Sequence, residues 1–256
     1  MTKPLSGRTV VLTRPRAQSE RLAAALRRLG ARVIFAPLIK TVPPRSFRAL
    51  DESLQGLADF DAVVFASANA VHAFFARAKK LLRKRPSSAV LAAAVGPATA
   101  KVLSGYGWKA AIVPEDCRAE GLAQALRLVK GCRVLIPRAE QGRETLVQLL
   151  RARGAKVTLA TAYRTQSDPQ GRRELRRALA RGAHAVLFAS PSAVRSAAGA
   201  LGRARMRRAF KETAAVAIGP TTAAALRVCG VAPAAVSKRP DAEAFAETAA
   251  RALAKR

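Results

Sequence analysis

The chain has 256 residues, 50% of them hydrophobic, and carries 46 Lys and Arg against 16 Asp and Glu, a formal net charge of +30. That length and apolar content suffice for one large core or two of ordinary domain size, which excludes a disordered chain and removes the need for a disulfide or metal staple. The charge attracts anions, whether nucleic acid, anionic lipid or a polycarboxylate or polyphosphate small molecule, and says little about fold.

The first residues, MTKPLSGRTVVLTRP, hold no apolar secretion-signal core, and no apolar run reaches the ~18 residues of a membrane span. A soluble cytoplasmic protein is expected. TVVLTRP (9–15) reads as a strand, SERLAAALRRLG (19–30) as a Gly-ended helix with Leu22, Leu26 and Leu29 on one face, and ARVIFAP (31–37) as the next strand. DAVVFAS (61–67) then ANAVHAFFARAKKLL (68–82) repeats the alternation. AVLAAAVG (89–96) with PATAKVLSGYG (97–107) does so again, as does KAAIVP (109–114) with AEGLAQALRLVKG (119–131). Strands too apolar to alternate, each followed by an amphipathic helix, predict parallel sheets covered on both faces.

The second half repeats the first. Residues 10–41 match 134–165 at an offset of 124, with Arg14 on Arg138, Glu20 on Glu144 and Gly30 on Gly154. At an offset of 123, AVVFASANAV falls on AVLFASPSAV, AVGPATA (94–100) on AIGPTTA (217–223), and AEGLAQAL (119–126) on AEAFAETA (242–249). Ordered blocks at nearly constant spacing mean two copies of one supersecondary design, and two flavodoxin-like or Rossmann-like α/β domains follow.

In open parallel sheets ligands bind beyond the carboxyl ends of the strands, where the next helices begin. That edge collects Ser67 and Asn69 in one copy and Ser190 and Ser192 in the other. It also collects Gly96-Pro97 with Thr99, and Gly219-Pro220 with Thr221 and Thr222. Helix N-termini favour carboxylates or phosphates, and Arg14, Arg138 and Arg143 stand at or just beyond the ends of the first strands of the two copies. For each Ser or Thr the plain alternative is a helix cap without a ligand, and for Arg143 and Glu144 an ordinary helix start.

Several chemistries are missing. No G-x-G-x-x-G follows a strand and no G-x-x-x-x-G-K-[ST] occurs, so nucleotide cofactors lose their usual cradle. Cys117, Cys132 and Cys229 are widely separated, with His72 and His184 as the only histidines, which speaks against a disulfide framework or a zinc site. No cofactor and no metal are expected. Much of the basic excess lies in RRELRRALARG (172–182) and GRARMRRAFK (202–211), at helical spacing, without the aromatic interleaving of single-strand binders.

The ordered set VVLTRP, FASANAV, AVGPATA, VLIPRAEQGRETL, AYRT, FASPSAV and AIGPTTAAAL resembles the uroporphyrinogen-III synthase family over nearly the whole chain. The resemblance implies two α/β domains joined by a two-stranded β linker, residues 1–37 with 168–256 in one domain and 43–162 in the other, with linker strands at 38–42 and 163–167. It implies cyclisation of the linear tetrapyrrole hydroxymethylbilane to uroporphyrinogen III, with inversion of the last ring and loss of water, in tetrapyrrole biosynthesis. It implies no organic cofactor, a ligand held across an interdomain cleft, and a monomer that receives its substrate from the upstream bilane-forming enzyme, with no specific nucleic acid and no membrane as partner. Tyr163 is the catalytic candidate by this resemblance; its counterpart in the first copy is Ile39. The ligand-holding candidates are Arg14, Ser67, Asn69, Thr99, Arg138, Arg143, Ser190, Ser192, Thr221 and Thr222. A non-catalytic anionic-ligand binding protein or sensor on the same fold would use the same loops, and turnover separates the two.

Overall fold

The structure is a computed structural model that describes residues 3–82, 90–127, 130–142 and 144–254. The chain divides into two compact units, unit 1 formed by Met1–Lys40 with Gln166–Arg256 and unit 2 by Thr41–Thr165. Unit 1 opens with β1 (Thr9–Leu12), α1 (Glu20–Arg28) and β2 (Arg32–Phe35). β3 (Ile39–Val42) runs into unit 2, which continues with α2 (Arg48–Gln55), β4 (Ala62–Phe65), α3 (Ala68–Leu81), β5 (Leu91–Ala94), α4 (Pro97–Gly105), α5 (Ala119–Ala125), β6 (Arg133–Ala139) and α6 (Thr145–Ala152). β7 (Lys156–Ser167) returns the chain to unit 1. There follow α7 (Pro169–Ala180), β8 (Ala185–Phe188), α8 (Pro191–Leu201), α9 (Arg203–Glu212), β9 (Ala214–Ala217), α10 (Pro220–Val228), β10 (Ala235–Val236) and α11 (Ala242–Ala254).

Each unit holds a five-stranded sheet, ordered β10-β9-β8-β1-β2 in unit 1 and β3-β7-β6-β4-β5 in unit 2. β1 pairs in parallel with both β2 and β8, and β6 pairs in parallel with β7 and β4. Every residue of β4 and β8 is buried, which is why AVVF and AVLF read as unbroken apolar runs: helices cover both faces. Side chains alternate across the unit 1 sheet. Val11, Val186 and Phe188 face α7, α8, α9 and α10, whereas Val10, Leu12 and Leu187 face α1 and α11. Unit 2 repeats the division, with Val63 and Phe65 toward α2, α3 and α4 and Val64 and Ile136 toward α5 and α6. Each buried Phe or Leu contributes about 1.5–3 kcal/mol relative to exposure, so both sheets are held by two apolar layers.

The shared offsets align β1 with β6, β2 with β7, β8 with β4 and β9 with β5, and these four strands follow the same order in both sheets, with β10 added at one edge in unit 1 and β3 at the other edge in unit 2. Two expectations change. Residues 109–114 form a single bridge, Ile112 to Ala93, where a strand was expected; the segment lies at the sheet edge, and Pro114 has no N–H to continue a ladder. Its counterpart in unit 1, β10, is likewise only two residues. The helix expected over 119–131 stops at Ala125, because Leu126 turns to ψ 92°; residues 128 and 129 of that range lie outside the described residues.

Candidate functional site

The carboxyl rim of each sheet is built by helix starts. Ser67 has extended backbone, and its Oγ accepts from Ala70 N at 3.2 Å; Ser190 does the same for Ala193 N at 3.2 Å. Both serines are therefore N-caps, each satisfying one of the amides that a helix start leaves open. α4 and α10 start differently, with an extended Gly96 or Gly219 followed by Pro97 or Pro220, whose fixed φ suits the first helical position.

The same rim position then diverges between the units. In unit 2 the Ser67 hydroxyl lies 3.3 Å from the Tyr163 hydroxyl. In unit 1 the Ser190 hydroxyl lies 3.0 Å from that of Ser192. Tyr163 stands on β7 opposite Ala139, the last residue of β6, and its carbonyl accepts from Glu140 N at 2.9 Å. With 9% of its surface exposed, its ring packs in the unit 2 core near Phe65 and Ala162. Because one Ser67 lone pair already takes the Ala70 N–H, the Ser67 proton is free to point at the phenol oxygen. That orientation leaves the Tyr163 proton available to a third group.

Arg138 occupies the end of β6 with a side chain 10% exposed. Its Nη2 donates to Glu144 Oε1 at 2.7 Å, while its Nη1 is buried without a hydrogen-bond partner among the described residues. Gly142 makes this possible, since a Cβ there would collide with the guanidinium. The Arg138 hydrogen bond, reinforced by its charge and that of Arg151, holds the Glu144 carboxyl below the ordinary carboxylate range. A buried guanidinium nitrogen with no acceptor is costly alone and suits an anion that brings one. In the equivalent loop of unit 1, Arg14 is exposed just beyond the end of β1. The Ser19 hydroxyl ahead of α1 is buried there without a partner among the described residues.

The remaining candidates are dispersed. Asn69 is half-buried, the second residue of α3, and Thr221 is exposed on the first turn of α10. Thr99 and Thr222 are 5% and 1% exposed and turned into their units, so their hydroxyls are not offered at the surface. Arg143 lies outside the described residues. Glu144 and Ser19 are the groups that pattern reading passed over: Glu144 looked like an ordinary helix-start acid, and nothing in sequence distinguishes Ser19. Among the described residues no three His, Cys, Asp or Glu side chains gather to hold a metal ion, and no helix is long and apolar enough to cross a membrane.

Two parallel sheets covered by helices, with capped helix starts, hydroxyls and arginines at their carboxyl rims, define a two-unit α/β protein with a candidate ligand rim on each unit. Residues 20–247 match the family described as uroporphyrinogen-III synthase HemD, and the chain belongs to that family. It is 39% identical over 170 residues to a uroporphyrinogen-III synthase of Synechococcus elongatus, covering 66% of this chain and 64% of that protein. It is 31% identical to a putative uroporphyrinogen-III synthase of Methanothermobacter thermautotrophicus over 87% of this chain and 90% of that one. In fold it is similar to a mutant uroporphyrinogen III synthase from Thermus thermophilus, with a TM-score of 0.67 at 24% identity over 97% of this chain and 100% of the other.

Proposed function

We propose that this protein cyclises hydroxymethylbilane to uroporphyrinogen III, inverting the last pyrrole ring and releasing water, as a cytoplasmic monomer supplied by the enzyme that makes the bilane. The observation that carries the reading is Tyr163, a phenol at the rim of unit 2 with its oxygen 3.3 Å from a serine hydroxyl, at a position where the other copy has Ile39. A directional reaction on a chain substrate needs one proton donor, and the repeat supplies that donor once.

The reaction begins when the Tyr163 O–H protonates the terminal hydroxyl of the bilane. The C–O bond breaks, water leaves, and the pyrrole nitrogen lone pair stabilises the resulting azafulvene cation. Ser67 donates to the phenol oxygen and so spreads the charge of the phenolate until a proton returns from the ring carbon that becomes aromatic at the end. The substituted carbon of the last ring attacks the cation, and the spiro intermediate fragments and recloses with that ring reversed. Spontaneous closure gives the uninverted isomer, so the larger contribution is positioning. Arg14, Arg138, Arg143, Thr221, Asn69, Ser190, Ser192 and the open amides of the helix starts hold the carboxylates of the substrate. Thr99 and Thr222 act from beneath, fixing the first turns of α4 and α10.

The test is direct. Freshly prepared hydroxymethylbilane is incubated with the protein, and the products are oxidised and separated by isomer. Strong enrichment of type III is expected; a mixture no richer in type III than the protein-free control overturns the proposal.

A further inference from the structure

The two faces of the unit 1 sheet carry very different charge. The helices on one face, α7, α8, α9 and α10, have eleven basic side chains against two acidic ones; α1 and α11 on the other have four against three. On the balanced face each acidic side chain is paired, Arg28 with Glu243 at 2.7 Å, Arg251 with Glu247, and Arg16, just ahead of α1, with Glu20, which leaves Arg21 and Arg27 without a carboxylate partner among the described residues. On the basic face Arg177 pairs with Glu174 at 2.8 Å, but Arg173, Arg195, Arg203, Arg205, Arg207 and Arg208 are exposed and have no carboxylate partner among the described residues. Chain-wide Arg enrichment does not account for this, because both faces belong to the same chain and differ.

The face is also rigid. Arg172 donates to Ser196 at 3.2 Å and Arg176 to the Ala200 carbonyl at 3.2 Å, fastening α7 to α8, while Met206 and Phe210 seat α9 in the same core. Among the described residues, α7, α8 and α9 expose no large hydrophobic side chain, and α10 exposes one, Val228, at its C-terminal end. The α7–α9 surface therefore lacks an apolar wedge for a bilayer, an apolar centre of the kind a protein interface needs, and a ring to stack on an unpaired base. Exposed guanidinium groups carried on packed helices, without apolar anchors, suit the charge of a phosphate backbone.

We propose that the α7–α9 face of unit 1 is a sequence-independent docking surface for the phosphate backbone of double-stranded nucleic acid, separate from the rim that handles the tetrapyrrole. Binding by counterion release follows. With about five phosphates engaged, log K falls with log salt at a slope near −4.5, a loss of ~10²–10³-fold between ~50 and ~200 mM salt.

The experiment measures anisotropy of a labelled duplex of about 30 base pairs across that salt range with the full chain and two triple variants. Arg203→Gln, Arg205→Gln and Arg208→Gln on α9 are expected to weaken binding at least tenfold and to flatten the slope by about 3. Arg21→Gln, Arg27→Gln and Arg28→Gln on α1 remove the same charge from the other face, and are expected to change affinity by less than about threefold. Thermal unfolding and bilane turnover of both variants confirm that each is folded and that the rim is untouched. Equal weakening by the two variants would mean that net charge binds and the face does not, which overturns the proposal. So would no duplex binding at the lowest salt, or tighter binding to vesicles containing phosphatidylglycerol or to polyglutamate than to the duplex.

Discussion

Unit 2 fills the space between α3 and α4 with aromatic rings; unit 1 fills the equivalent space with small side chains. Phe75 stacks on Tyr106 with ring centroids 4.4 Å apart, and Phe65, Phe74 and Trp108 meet edge to face or tilted within about 6 Å. At the offset of 123, Phe74, Phe75, Tyr106 and Trp108 become Ala197, Ala198, Cys229 and Val231; Phe65 alone keeps its ring, as Phe188. Unit 1 makes up volume from outside the repeat frame, with Phe210 of α9 placed 5.6 Å from Phe188. A shared frame of strands and rim turns thus tolerates different fillings provided the volume is occupied. Chemistry diverges in the same way, since matching strands carry Tyr163 in one place and Ile39 in the other.

The comparison breaks most sharply at Tyr163. Tyr163→Phe is expected to slow turnover by ~10²–10⁴-fold, as loss of a proton donor does, while the product stays predominantly type III. Steady-state rates with isomer analysis check both halves, and full activity would leave the two copies chemically equivalent. In the cores, Trp108→Ala is expected to cost about 3–5 kcal/mol by chemical denaturation followed by circular dichroism, against about 1–3 kcal/mol for Val231→Ala. Equal losses would show that the aromatic cluster is no better packed than its aliphatic counterpart. At the caps, Ser67→Ala and Ser190→Ala should each lose about 1 kcal/mol of stability. Only Ser67→Ala should also lower kcat, by about tenfold, an effect that should largely disappear in the Tyr163→Phe background, whereas Ser190→Ala, which removes one carboxylate contact, should act on KM. Additive effects would separate Ser67 from Tyr163.

The smallest effect is electrostatic. Arg138 lowers the folded-state pKa of Glu144, so their pairing contributes fully above the ordinary carboxylate value and is lost as pH falls through the lower folded value. Carboxyl NMR titration should find Glu144 ionising below the range of ordinary glutamates, with Arg138→Gln returning it there. An unshifted Glu144 in the unaltered protein would leave the β6–α6 loop without its ionic tie.

The repeat made much of this architecture readable. FASANAV and FASPSAV each announce a buried strand, a serine cap and a helix, and the structure has both in place. The segment KAAIVP misled because apolar content does not distinguish an edge contact of one bridge from a strand. Gly-Pro-x-Thr marks a helix start but not which way the Thr points, and Thr99 and Thr222 both turn inward. The Ser67–Tyr163 contact joins residues 96 positions apart, and Arg138 with Glu144 depends on the fold of one loop around Gly142. Such pairings are set by tertiary geometry, which no local pattern encodes.

The interleaving of the two units has a consequence for how the protein is made. When Thr165 leaves the ribosome, unit 2 has all of its sequence, but unit 1 has only β1 and β2 of its five strands. β1 then still lacks its inner neighbour, β8, and Thr9 N will bond to a histidine ring 175 residues downstream. At ~5–20 residues per second, the wait from β2 to β8 lasts roughly 8–30 s. During that interval Val10, Val11, Leu12 and Leu26, all fully enclosed in the finished protein, have only α1 and β2 of their own unit beside them, and the side chains of β8, α8 and α11 that complete their burial are not yet made. The nascent chain therefore folds from its middle outward, and its N-terminus is the last part to be sealed.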